Sequence, residues 1–327
     1  MKRHAWFFLC LTLVLCGCSR SPKEAAAPAE DANALYQQGR FAEAALAAER
    51  ALKDAERAVG RDDKRLAVPL NNLAGLYRIV GRLDESEKTY NRLLQIREAG
   101  NPEDPELYKT LHDLATVNLG LRRYPEAEAL EKRVMEYAER TMQPGDPRFA
   151  STLNNMGYLL LMQGKAAEAE THLKKALGAL EASVGDGHEH TQVTLGHLAE
   201  LYRSQKRYPE TEDMLKRLLA GLEKANGPDH IEVARILNNL ALVYKEQGKN
   251  DEAAPLYTRS VGILEKNLQA GSRDDLAVTL ENYALLLLRA DKKAEAQKMA
   301  ERARKVRSAA ASASGSLSSS DASPDRQ

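Results

Sequence analysis

One pattern returns every 41 to 43 residues along the chain, and it limits what the chain can fold into. The fullest copy spans residues 231–257, IEVARILNNLALVYKEQGKNDEAAPLY, which reads as a helix, a tight Gly-Lys turn and a second helix. Taking the residue after each Asn-Asn, or its equivalent, as anchor gives Leu73, Leu114, Met156, Leu198, Leu240 and Tyr283. A period of this size describes a helix pair that buries its apolar face only against neighbouring copies. Composition agrees, with aromatics at 5% and Ala, Leu, Glu, Lys and Arg dominant. The expected fold class is all-α: about six full repeats plus one degenerate N-terminal repeat, whose turn is Gly39-Arg40.

Offsets within each copy separate core from surface. Three residues before the anchor stands Leu70, Leu111, Leu153, Leu195, Leu237 or Leu280; one after it, always small, Ala74, Ala115, Gly157, Ala199, Ala241 or Ala284. Four after come Tyr77, Asn118, Leu160, Tyr202, Tyr244 and Leu287. Offsets −3, 0, +1 and +4 fall on one helical face, which is the expected buried stripe.

The turn follows, with Gly81, Gly164 and Gly248 suited to a left-handed helix end and Arg122 in that place in the second copy. A basic residue comes next: Arg82, Arg123, Lys165, Arg207, Lys249 or Lys292. Glu85, Glu126, Glu168, Glu210, Glu252 and Glu295 then open the second helices, where a carboxylate complements the helix dipole. Separate repeats hold these carboxylates apart, so they are read as structural, not as acid–base groups. Glu128–Lys132, Glu170–Lys174 and Glu212–Lys216 read as pairs on a solvated face. Ten residues before four of the anchors stand Asp104, Asp146, His188 and His230, the N-cap places of the first helices. His188-Glu189-His190 is the most metal-like string, but His188 shares the capping register, so no metal and no cofactor is expected.

The two ends differ from the repeats. Met1-Lys2-Arg3-His4 precedes an apolar run from Ala5 to Gly17, too short for a transmembrane helix and suited to a signal peptide. The run closes Leu15-Cys16-Gly17-Cys18, which resembles the bacterial lipoprotein lipobox; the other reading is an ordinary secretory signal with an incidental Cys. The resemblance implies cleavage after residue 17 and lipidation of Cys18, and Ser19 after it implies sorting to the outer membrane, facing the periplasm. All three cysteines lie in this segment, so the processed chain forms no internal disulfide. Residues 18–31 read as a lipidated tether and 32–307 as the repeats. Residues 308–327, rich in Ser and Ala, read as a disordered tail. The formal charge of zero argues against nucleic acid as a partner.

Leu, small residue, Tyr, Gly and Ala at these offsets resemble the tetratricopeptide repeat. The 42-residue period, with Leu237-Asn238-Asn239-Leu240-Ala241 after Gly227-Pro228-Asp229-His230, resembles its kinesin-light-chain-like subclass. The resemblance implies a right-handed superhelical solenoid of antiparallel helix pairs, whose first helices line a groove that binds peptide segments. Ile231 departs from the subclass, which has Pro after that His.

Residues opposite the Leu stripe are the groove candidates. The −1 series is Asn72, Asp113, Asn155, His197, Asn239 and Asn282, and amides can pair with a peptide backbone without reading its sequence. Tyr158 and Arg235 share that face, and Arg203 and Lys245 lie at its edge. The alternative is that the Asn residues are spacers between helices. The function expected is a non-enzymatic scaffold, tethered to a membrane, that holds extended segments of envelope proteins, with assembly factor as one candidate role. The competing class is a cell-wall glycan-binding or enzymatic lipoprotein using the same groove. Self-association through an uncovered end is a third reading.

Overall fold

The computed structural model describes residues 31–101, 104–143, 145–268 and 272–318, with side chains to Ala309. The expected signal peptide, Cys18 and nearly all of the tether lie outside these residues, as do residues 319–327. The described residues form fourteen α-helices and one short 3-10 helix, Lys64–Leu66, and no strand. None of the helices is long and apolar enough to cross a membrane.

Contacts divide the chain into two compact units. The first holds α1 (Ala32–Gln37) with α2 (Phe41–Val59), α3 (Ala67–Ile79) with α4 (Leu83–Glu98), and α5 (Pro105–Gly120) with α6 (Tyr124–Thr141). The second is built from α7 (Pro147–Met162) and α8 (Ala166–Ser183), α9 (Glu189–Ser204) and α10 (Tyr208–Asn226), α11 (Ile231–Glu246) and α12 (Asn250–Lys266), and α13 (Ser272–Arg289) and α14 (Lys293–Ser318). Within each unit a second helix packs on its own first helix and on the first helix that follows, as α4 does on α3 and α5, and α12 on α11 and α13.

The expected starts and stops are where the sequence puts them. Asp104 accepts a hydrogen bond from the Glu106 amide at 3.0 Å, and Asp146 one from the Arg148 amide at 2.8 Å. His188 and His230 cap α9 and α11 in the same way through Nδ1, at 3.2 and 3.3 Å. Each turn between paired helices closes with an amide reaching back to the carbonyl of the +4 residue, as from Arg207 to Tyr202 at 2.9 Å and from Lys249 to Tyr244 at 2.9 Å. This closure needs a left-handed residue just before the basic one. Gly81, Gly164 and Gly248 supply it, but Arg122, Lys206 and Asp291 adopt φ of 58–59° in the same place. A side chain there costs about 1–2 kcal/mol, more than glycine loses in chain entropy. Lys206→Gly should therefore raise stability by about 0.5–1 kcal/mol, read as a higher urea midpoint with an unchanged slope.

The buried stripe is as expected at −3, +1 and +4 in all six copies, and at the anchor in five, with Tyr283 partly exposed. It is also wider. The +3 residues Leu76, Val117, Leu159, Leu201, Val243 and Leu286 are equally buried. A first helix lies against two second helices, so two adjoining stripes are covered. One apolar cluster fills the first unit, including Leu70, Leu73, Tyr90 and Leu114. Another fills the second, including Leu195, Leu198, Leu237 and Tyr257. Helix α14 runs on to Ser318, past the expected end of the repeats at Arg307, through a stretch made mostly of Ser and Ala.

Candidate functional site

On the side of the molecule where the turns lie, a three-part clasp joins successive repeats. The Tyr202 hydroxyl donates to Glu170 at 3.3 Å, the Arg207 guanidinium donates to the same carboxylate at 2.7 Å, and Arg207 stacks on the Tyr202 ring at 4.3 Å. Tyr244, Glu212 and Lys249 repeat it, with the hydroxyl at 2.8 Å and the ammonium at 3.7 Å. Tyr77, Glu49 and Arg82 form it in the first unit, both bonds at 2.8 Å. The i,i+4 partners expected for these carboxylates are present too, Lys174 on Glu170 at 2.7 Å and Lys216 on Glu212 at 2.6 Å. Glu170 and Glu212 are thus inter-repeat ties as well as surface pairs. The sequence does not announce this, because the partners stand more than thirty residues apart.

Arg207 is the main cause that holds the Glu170 carboxyl down to about 2, against the opposing effect of burial. A carboxyl lowered from 4.5 contributes stability that is present above pH 4.5 and lost as pH falls toward 2. Glu170→Gln should lose less stability across that window than the parent chain, while being weaker at neutral pH. Urea midpoints taken at a series of pH values will read this.

A buried polar group distinguishes the first unit. Arg97 donates to Thr110 Oγ1 at 2.8 Å and to Glu106 at 3.1 Å. His112 Nδ1 donates to buried Glu131 at 2.9 Å. Burial opposes charge on His112, but the Glu131 carboxylate overrides it and raises the pKa. Burial raises the pKa of the neighbouring Asp113 carboxyl. Glu131 and Arg97 occupy registers that are apolar in α10 of the second unit (Leu215 and Leu222), so they join helices here. Among the described residues, no three His, Cys, Asp or Glu side chains gather as a metal would require.

The first-helix face carries the expected groove residues. In the second unit, Tyr158 stacks on His197 with centroids 4.3 Å apart, and His197 Nδ1 donates to Asn154 Oδ1 at 3.0 Å. Burial pushes the His197 ring down to about 4, so it is neutral at pH 7. Asn154 in turn donates to Asn155 at 3.5 Å. The next pair of first helices repeats the arrangement: Asn282 donates to Asn238 at 3.1 Å, and Asn238 to Asn239 at 3.4 Å. The ladder therefore spends much of its hydrogen bonding between repeats. Asn239 still lies exposed on the face, while Asn72, in the first unit, is buried. Arg235 is paired with Asp275 at 2.8 Å and Glu232 at 2.5 Å, and Arg203 lies 3.9 Å from Glu246. Lys245 is 7% exposed, and among the described residues its ammonium has no ion-pair or hydrogen-bond partner. The candidates thus occupy both units, and no single cluster gathers them.

Exposed apolar side chains on this face add to the expected polar ones. Val68 and Ile79 in the first unit, and Val193, Val278, Leu285 and Leu288 in the second, are the exposed large apolar residues of the first helices. The signal is available in sequence, since Val68, Val193 and Val278 share the −5 register. Apolar side chains grouped on a surface mark sites of association.

Comparison with known proteins agrees with this geometry. Tetratricopeptide repeat family models match residues 32–63, 65–140, 148–223 and 190–266, well over half of the chain. The chain belongs to the tetratricopeptide repeat family. No curated protein sequence matches it significantly. Among solved structures, this tetratricopeptide repeat chain is similar to BtubC (BKLC) from P. vanneervenii, at 19% identity and TM-score 0.60, over 76% of this chain and 94% of that one. It is also similar to a putative kinesin light chain with nearly identical TPR-like repeats from Podosopora anserina, at 20% identity and TM-score 0.55, over 63% and 98% of the two chains. The apo form of RapI matches at 15% identity and TM-score 0.61, over 84% and 94%. These likenesses bear on the fold alone: helix-pair repeats.

Proposed function

We propose that this tetratricopeptide repeat chain is a non-enzymatic docking scaffold, tethered to the outer membrane through lipidated Cys18, that holds extended segments of envelope proteins on its first-helix face and serves the assembly of an envelope machine. The supporting observation is the character of that face in the second unit. It exposes Val193, Val278, Leu285 and Leu288, and on the same first helices Lys245 has no ion-pair partner among the described residues. Apolar side chains grouped on a surface mark a place that a bound chain covers. A Rap protein, similar in fold at TM-score 0.52 and 15% identity, has been solved complexed with Competence and Sporulation Factor, so repeats of this kind can serve association. The lipobox-like Leu15-Cys16-Gly17-Cys18 supports the membrane address.

Two experiments test the two halves. Cys18→Ala should move the protein from the membrane to the soluble fraction; retention in the membrane would place the anchor elsewhere. A pull-down of the full chain from detergent-solubilised membranes should recover an envelope protein in stoichiometric amount. Recovery of glycan fragments alone would overturn the docking half.

A further inference from the structure

One register of the second helices ties each repeat to the one before it. Arg92 of α4 pairs with Glu56 of α2, and Arg133 of α6 with Glu98 of α4 at 2.5 Å. In the second unit Arg217 of α10 pairs with Glu181 of α8 at 2.5 Å, Arg259 of α12 with Glu223 of α10 at 2.7 Å, and Arg302 of α14 with Glu265 of α12. Glu139 and Lys175 stand in the same two registers of the remaining copies. The two ends of this ladder differ. At the C-terminal end Ser308 of α14 holds the carboxylate register, and Ala300, Arg304 and Arg307 replace the buried Tyr257, Val261 and Leu264 of α12. That end is finished with polar groups, as a terminal repeat requires. At the N-terminal end Arg50 of α2 holds the basic register, exposed, and no carboxylate among the described residues pairs with it.

Helix α2 is also less covered than its equivalents. Its own first helix, α1, has 6 residues, against 13–18 in the other first helices. Ala51 is exposed although Leu93, in the same register of α4, is wholly buried, and Leu46 is 47% exposed. Leu46, Arg50, Asp54 and Ala58 follow one another at four-residue steps, and all are exposed. Rows of this spacing are the ridges by which helices interlock. The row reads apolar, positive, negative, apolar, so an antiparallel second copy presents its complement. Asp54 is held only by Arg57 at 3.0 Å, with both side chains at least 70% exposed, and such a pair yields easily to another. We propose that this chain forms a twofold dimer, α2 against α2, in which Arg50 of each copy pairs with Asp54 of the other and Leu46 packs on Ala58. Head-to-tail stacking is disfavoured, because it sets Arg50 against Ser308 and beside Arg304 with no carboxylate in register. Pairing like end with like end closes after two copies and builds no filament.

The test uses the full chain in detergent, with the protein mass read by light scattering over a concentration series. The parent should pass from monomer to dimer and no further. Arg50→Glu and Asp54→Arg should each weaken the dimer about tenfold or more, because each sets like charges together twice across the axis. A mixture of the two variants should restore dimers, since opposite charges then meet at both contacts. The chain carrying both substitutions should dimerise like the parent. Melts in dilute solution, where the parent is monomeric, should agree for all of them. A dimer indifferent to both reversals, a mixture that stays monomeric, or growth beyond two copies would overturn the proposal. So would a parent chain that is monomeric throughout. A lower melt for Arg50→Glu would then assign the face to the chain's own residues 19–30, and an unchanged melt to a different protein. The dimer uses a second helix, so the docking role of the first-helix face stands or falls separately.

Discussion

Leu195→Ala is expected to cost about 2–5 kcal/mol, a large fraction of the stability of a domain. Leu195 is the −3 residue of α9, wholly buried in a cluster with Leu198, Leu218 and Leu237. Truncation removes the transfer energy of the lost carbons and leaves a cavity between helices too rigid to collapse around it. The urea midpoint should fall, and the slope should hold if the second unit unfolds as a whole. Leu288→Ala is the matched control. It sits on a first helix too, but about half exposed, and should change stability by no more than about 0.5 kcal/mol. Comparable losses at both positions would mean that the −3 register does not mark the core.

Gly157→Ala should cost about 1–3 kcal/mol although it adds only one methyl group. Gly157 takes the small-residue place of α7, and a Cβ there would stand 2.7 Å from Leu173 Cγ and 3.3 Å from the Ala169 carbonyl oxygen. Leu173 is itself fully buried and has nowhere to retreat. Gly178 supplies the opposite sign. It lies inside α8, and an added Cβ would meet nothing within 4 Å, so Gly178→Ala should gain about 0.5–1 kcal/mol from helix propensity. Thermal melts of the two variants should move in opposite directions.

Much of the fold is legible in the sequence because the chain repeats itself. A single Leu-Asn-Asn-Leu-Ala could belong to any amphipathic helix, but the same offsets in copy after copy mark Leu237 and Ala241 as core and Gly248 as turn. The second buried stripe, through Val243 and its equivalents, escapes a local reading because it faces a helix of another repeat. The clasp of Tyr202, Glu170 and Arg207 is hidden for the same reason: each side chain has a sufficient local explanation, and only the stacking of repeats unites them. The candidate site is less legible. Asn155 and Asn239 suit a peptide backbone as a pattern, yet their Asn154 and Asn238 neighbours bond to His197 and Asn282 across repeats. Arg235 is paired with Asp275, which no local pattern announces. Lys245 stands out only through its burial, since a last-turn lysine is ordinary in sequence. The continuation of α14 to Ser318 is not legible in the sequence, because the Ser residues and Gly315 are no better than middling helix formers and no apolar stripe remains there.

The docking role depends on which face meets a partner, and photocrosslinking in intact cells tests that most directly. A photoreactive amino acid placed at Val193 or Leu285, both exposed on first helices, should crosslink to a discrete envelope protein. The same probe at Lys216, exposed on the second helix α10, should not. Crosslinks from Lys216 with none from Val193 or Leu285 would contradict the assignment of the first-helix face as the docking surface.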